Sequence, residues 1–342
     1  NAGILLGGNA NAFSAASTTT VNAGGTLDLG GFAQIINTLT LAGGAVQNGQ
    51  LGGTITSAGG TVSGVGGGAN LITTGGTTTL SGVNSYTGAT TINGGTLLGG
   101  NANAFSAASA TTINQNGTLD LGGLAQSINA VTLAGGTLTH GLLTGAITST
   151  GGTISTLGGS AALTTTGGTT TLIGANSYTG PTNVNAGTLI VDGSAFSSTM
   201  TVKSGATLAG SGTIGTTTIM NGGTFAPGPV GAIGSMTVAG NLTFQSGASY
   251  QVLVDPTHAS SANVTANQAT LAGNVLATFA PGSYITKQYT ILSASSIDGA
   301  FDNLSTKNLP AGFTANLSYA ASHVYLHATA TPGAPSASPP PS

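Results

Sequence analysis

The sequence predicts an all-β protein, a right-handed parallel β-helix (β-solenoid) finished by a C-terminal β cap. Three observations predict it: a long internal duplication, a shorter rhythm of turn and strand within each copy, and an apolar content carried without charge. The duplication is ungapped. Residues 7–98 align on residues 99–190 at a shift of 92, and 63 of the 92 positions are identical. GGNANAFSAAS at 7–17 recurs at 99–109, GGTLDLGG at 24–31 returns as NGTLDLGG at 116–123, and NSYTG at 84–88 returns at 176–180. Self-similarity at a fixed period marks an array whose units bury their apolar sides against one another.

The array begins before the first full copy. Asn1, Gly3, Leu5 and Leu6 match Asn93, Gly95, Leu97 and Leu98, while Ala195, Phe196 and Ser197 echo Ala12, Phe13 and Ser14 beyond the second copy. Inside each copy, Gly-Gly or Asn-Gly is followed by Thr and an aliphatic residue, as at Thr26-Leu27, Thr54-Ile55, Thr61-Val62 and Thr96-Leu97. Each such unit reads as a corner and a half-buried strand. Glycine supplies the positive φ of the corner, and β-branched residues alternating with small polar ones suit a pleated surface. Strands this short cannot bury their faces alone, but coils of about twenty residues stacked ~4.8 Å apart bury a continuous Leu/Ile/Val column.

Composition removes the competing readings. Glycine contributes 59 of 342 residues, charged residues are 3%, and Cys and Trp are absent. A disordered chain would pair few apolar residues with much net charge, whereas this one is 39% hydrophobic with a formal charge of −3. No apolar run approaches the ~18 residues of a transmembrane helix. The first residues carry neither a basic cluster nor an apolar core, so no signal peptide is expected and residue 1 reads as a cut inside a longer protein. Three Lys and no Arg leave no footprint for phosphate, which excludes nucleic acid as a partner class.

From Gly205 onward the copies give way to GATLAGSGTIGTTTIMNGGTFAPGPVGAIGSMTVAGNLTFQSGASYQVLV at 205–254, then TLAGNVLATF at 270–279, GSYITKQYTIL at 282–292 and LSYAASHVYLHAT at 317–329. This order of motifs resembles the end of autotransporter passengers of the pertactin-like class, and GGTTTLSGVNSYTGATTINGGTL at 75–97 resembles the autotransporter-associated β-strand repeat. The resemblance implies a passenger delivered through an outer-membrane β-barrel translocator that lies outside this chain. It implies residues 1–204 as a parallel β-helix built from the 92-residue repeats. It implies 205–330 as the β-helix end and cap, acting as an autochaperone on which earlier coils fold. The Pro-rich 331–342 reads as an extended linker. The lack of Cys fits that route, since a disulfide loop formed before export would be too bulky to thread.

The implied function is non-enzymatic: a cell-surface or secreted rod supporting adhesion, autoaggregation or biofilm formation, through self-association or host and abiotic surface ligands. Alternatives are a passive stalk below an upstream head, an enzyme passenger, and an ice-binding or other lattice-binding solenoid. The sequence nominates no catalytic, cofactor-binding or metal-ligating residue, and no cofactor. Asp28, Asp120, Asp192, Asp255, Asp298 and Asp302 are too scattered for a cation that wants six to eight oxygens, so they read as turn or surface residues, with a weak cation site as the alternative. Asp255 and His258 lack a serine elbow. His140, His258, His323 and His327 lack metal-ligand spacing, and Gly64–Gly68 lacks the Lys of a phosphate loop. Tyr86, Tyr178, Phe13, Phe105 and Phe196 recur in register and read as packing, with sugar stacking as the alternative. The Thr clusters at 18–20, 77–79, 169–171 and 216–218 read as strand formers, their irregular intervals arguing against an ice-like array.

Overall fold

The computed structural model describes residues 2–332, apart from 230, 257 and 259. Every regular element among them is a β-strand, and none is a helix. Most strand pairs are parallel, so the chain is the all-β parallel solenoid that its repeats predict. The expected linker at 331–342 lies outside the described residues beyond its first two positions. Contacts divide the chain into two compact units, Asn1–Pro181 and Thr182–Ser342.

In the first unit each strand lies in register on the strand one coil away. Leu5 stacks on Leu27, Leu27 on Val46, and Val46 on Val62. A second column runs from Leu39 through Ile55 to Leu71. The second copy repeats the geometry, with Leu97 on Leu119 and Leu119 on Leu138. All of these are buried except Leu5, which is 58% exposed on the outermost strand Gly3–Leu6. Its repeat equivalent Leu97 is fully buried because Thr78 pairs on its other side. Each buried aliphatic side chain contributes roughly 1.5–3 kcal/mol, and parallel pairing satisfies the strand amides that flank it.

Corners are made where side chains would not fit. Gly30 has φ +70°, and a Cβ there would sit 1.9 Å from the Gly7 carbonyl oxygen; Gly122 repeats the arrangement against Gly99. Gly24 at φ +78° becomes Asn116 at φ +71° in the second copy, the substitution that a left-handed position tolerates best.

In the second unit, Leu189, Leu208, Phe225, Tyr250 and Val275 continue the same kind of column. The core here widens to admit rings. Phe225, Phe244, Tyr250 and Phe301 are buried together, with Phe244 5.9 Å from Phe225, 5.4 Å from Tyr250 and 5.3 Å from Phe301. The Tyr250 hydroxyl donates to the Ile291 carbonyl. Stacking changes character at the last strands. Lys287–Gly299 pairs parallel with Asn263–Leu271 but antiparallel with His323–Ala330, which forms a hairpin with Phe313–Tyr319. Val324, Leu326 and Ala328 of that hairpin are buried.

Candidate functional site

A solenoid offers ligands its flanks, and here those flanks are columns of hydroxyls. Strand alternation turns Leu, Ile and Val inward and leaves every second residue outside. Thr20 therefore stacks on Thr40 and Thr40 on Thr56; Thr112 stacks on Thr132, and Thr148 on Thr164. In the second unit Thr201, Thr218, Thr243 and Thr270 do the same. The irregular sequence intervals do not break these columns, because loops of different length absorb them. Not all threonines are outside. Thr78, Thr170 and Thr217, at the centres of their clusters, are fully buried. Thr78 Oγ1 donates to Ser57 Oγ at 2.7 Å, and Thr170 shares a 2.7 Å bond with Ser149.

The aromatic residues recurring in the repeat do not form one exposed stripe. Tyr86 and Tyr178 are each 1% exposed. Tyr86 OH meets Thr90 Oγ1 at 2.9 Å, Thr90 meets Ser109 Oγ at 3.0 Å, and Ser109 donates to the Gly88 carbonyl at 2.7 Å. Burial pushes the Tyr86 phenol up to about 12, against a weaker opposing pull from the Thr90 hydrogen bond. Phe105 is buried and Phe13 half-buried, while Phe196 is exposed.

Asp28 and Asp120 both close the turn after Leu-Asp-Leu. Asp28 accepts from the Gly30 N–H at 2.8 Å and from Gln47 Nε2 at 2.9 Å; Asp120 accepts from Gly122 N–H at 2.8 Å and lies 3.3 Å from His140 Nδ1. The Gln47 bond, followed by that from Gly30, lowers the Asp28 pKa below the usual carboxylate value. Asp192 faces Ser211, Asp298 stacks in register beyond Thr270, and Asp302 accepts the Gly273 N–H at 2.8 Å. Asp255 Oδ2 and His258 Nδ1 are 2.8 Å apart, with the imidazole mostly in solvent. His323 and His327 bond neighbouring serines, Ser322 and Ser318. Among the described residues no three His, Cys, Asp or Glu side chains converge on a point that could hold a metal ion. Within Gly64–Gly68, a Cβ on Gly67 would meet the Leu51 carbonyl at 2.7 Å, so that glycine serves a close coil contact.

Two buried polar positions went unnoticed in the sequence. Gln126, 1% exposed, donates to the Asn101 carbonyl at 2.7 Å and accepts the Ala104 N–H at 2.9 Å; Gln34 occupies the same place in the first copy. Asn84 and Asn176 hold the loops ahead of Tyr86 and Tyr178, accepting the Val65 and Leu157 amides. For the glutamines the signal was a polar residue repeated where strand alternation calls for an inward side chain, whereas the asparagines lie in loops, where alternation gives none. In the second unit a groove of about 310 Å³ lies between the outer sheet face at Thr188, Thr207 and Gln251 and the loop carrying Pro229 and Ala232. It has no charged lining residue.

The sequence of this repeat matches a known family model. The passenger-associated-transport-repeat matches residues 75–98 and 163–191, which hold Asn84 with Tyr86 and Asn176 with Tyr178. These matches support an autotransporter passenger. A passenger of that kind works with a translocator in the full-length protein and is exported to the cell surface or the extracellular space. No curated protein matches the chain. No helix among the described residues is long and apolar enough to cross a membrane.

Proposed function

We propose that this chain is a non-enzymatic passenger rod, displayed at a bacterial surface or secreted, that supports adhesion, autoaggregation or biofilm formation. The observation that carries the reading is the passenger repeat matched at residues 75–98 and 163–191, borne on a solenoid whose flanks present uncharged threonine columns. With a formal charge of −3 on 342 residues, little long-range repulsion opposes lateral contact between such rods, so short-range hydroxyl and methyl contacts decide association. In this reading residues 1–204 are the repeat-built shaft. Residues 205–330 are its cap and folding template, a role that suits the antiparallel hairpin and its covering of a strand edge. Residues 331–342 are a tether.

Fusing residues 1–342 to an outer-membrane barrel and scoring cell clumping and attachment tests the proposal. Clumping or attachment above a barrel-only control is the expected result. A passive stalk gives neither.

A further inference from the structure

The last strand, His323–Ala330, ends between two loops that form the walls of one cleft. The Ala330 N–H donates to Thr286 Oγ1 at 3.0 Å, and Thr331 donates to the Gly312 carbonyl from its N–H at 2.7 Å and from its hydroxyl at 3.0 Å. Thr286 closes the loop 280–286, and Gly312 closes the loop 308–312. A cleft of about 290 Å³ is lined by Phe279, by Pro281 and Tyr284 of the first loop, and by Asn308 and Pro310 of the second. The Tyr284 ring is fixed in the wall. It packs edge-on against Phe279 at 5.5 Å and Phe313 at 6.3 Å, and its hydroxyl donates to the Ala280 carbonyl at 2.7 Å. No charged residue lines the cleft, Pro281 is exposed, and Ile285 beside Tyr284 is 70% exposed.

We infer that this cleft docks a proline run of the same chain, Pro339–Pro341. Residues 332–342 read PGAPSASPPPS and carry no charge, matching an uncharged wall. Thr331, held at the rim, lies eight residues before Pro339. At ~3.1 Å per residue in polyproline II, that stretch spans up to ~25 Å, ample for a return to the cleft. Pro332-Gly333, directly after the rim, is a turn signal that reverses the chain. Three successive prolines are pre-set in the extended form and lose little conformational freedom on docking. Their rings pack on aromatic faces, the mode by which aromatic-lined grooves take polyproline segments. Proline has no N–H, so the run offers only carbonyls, and Asn308 on the rim has an amide group to donate to one. Docking covers Pro281 and the Tyr284 ring and fixes the start of the tether against the cap. Cleft and run both lie within residues 279–342, so the contact holds whether the rod is adhesive or passive.

The chain has no Cys, so one engineered pair reports on proximity. Ser283 is exposed beside Tyr284, and Ser342 follows Pro341, so S283C/S342C places one thiol at each partner. A disulfide needs their Cα atoms within about 7 Å. Under mild oxidation at low protein concentration, the internal disulfide is expected to form at least about tenfold faster than in the same pair carrying P339S/P340S/P341S, which keeps the length and removes the run. Pro281→Ser, which trims one wall and touches no strand, is expected to slow it too. Equal rates with and without the prolines overturn the docking. A fall with the serine run but none with Pro281→Ser moves the contact off this cleft and overturns it equally. Disulfides between chains in place of the internal one overturn the choice of the chain's own run as occupant.

Discussion

Asn84 joins coils on either side of its own: Oδ1 accepts the Val65 N–H at 2.9 Å, and Nδ2 donates to the Ala104 carbonyl at 2.8 Å. The side chain is 3% exposed, so neither backbone group has solvent to fall back on. Asn84→Ala leaves a buried donor and a buried acceptor unpaired, and is expected to lower unfolding free energy by about 2–3 kcal/mol. Urea unfolding followed by circular dichroism measures it. Asn176→Ala should act in the same direction, since Asn176 accepts the Leu157 N–H at 3.0 Å and donates to the Ile173 carbonyl at 2.9 Å.

Adjacent corner glycines should respond unequally. Both Gly30 and Gly31 have positive φ, but a Cβ on Gly31 meets nothing within 4 Å, whereas one on Gly30 meets the Gly7 carbonyl at 1.9 Å. Gly31→Ala is expected to cost about 1–2 kcal/mol, the strain of a left-handed residue. Gly30→Ala must also push two coils apart, and at least about 3 kcal/mol is expected. Equal urea midpoints for the two variants would contradict this account.

Repeat identity made the coils legible. Leu97 and Leu119 are core in the structure because turn-strand units separated by glycine can bury their aliphatics only by stacking, which alternation already implied. The flank was harder to read. Thr20, Thr40 and Thr56 fall at uneven intervals of sequence, so their column emerges only once the loops between coils have been placed. Gln126 and Asn84 escaped for a related reason: a buried amide is satisfied by backbone groups from other coils, and those partners are invisible from local sequence. The rings of Phe225 and Phe301 lie far apart in the chain and meet only through the register of the strands between them.

Alkali should weaken the fold through Tyr86. Burial holds that phenol at about 12 in the folded chain, above its ordinary value of 10. Below pH 10 both states carry a neutral phenol, and the difference contributes nothing that changes with pH. Between pH 10 and 12 the unfolded chain loses its proton first, so stability falls through that window by about 3 kcal/mol. Buried Tyr250 is pushed still higher and acts in the same sense. Urea midpoints taken near pH 9 and above pH 11 should fall steeply, and Tyr86→Phe should flatten part of the fall.

Acid acts through a different group and in the opposite direction. The hydrogen bond from Gln47, with that from Gly30, depresses the Asp28 pKa in the folded state. Its contribution is present above the ordinary carboxylate pKa and is lost as pH falls through the depressed value. Because the carboxylate lies near the surface, solvent keeps the effect small. A shallow decline in stability below about pH 4 is expected, and Asp28→Asn should remove the part owed to this residue.

The templating role proposed for 205–330 predicts where kinetic effects should fall. Phe244 is 1% exposed and touches the rings of Phe225, Tyr250 and Phe301 inside that region, whereas Leu119 is fully buried within a repeat coil. Phe244→Ala is expected to cost about 3–5 kcal/mol and Leu119→Ala about 2–5, so equilibrium stability alone cannot distinguish their roles. Rates can. If the C-terminal region orders first and earlier coils add to it, the Phe244 contacts exist in the folding transition state and their loss slows refolding. The Leu119 contacts form later, and their loss mainly accelerates unfolding. Stopped-flow refolding and unfolding in urea separates the two limbs. Slow refolding for Leu119→Ala with an unchanged refolding rate for Phe244→Ala would place the nucleus in the repeats and reverse the proposed direction of assembly.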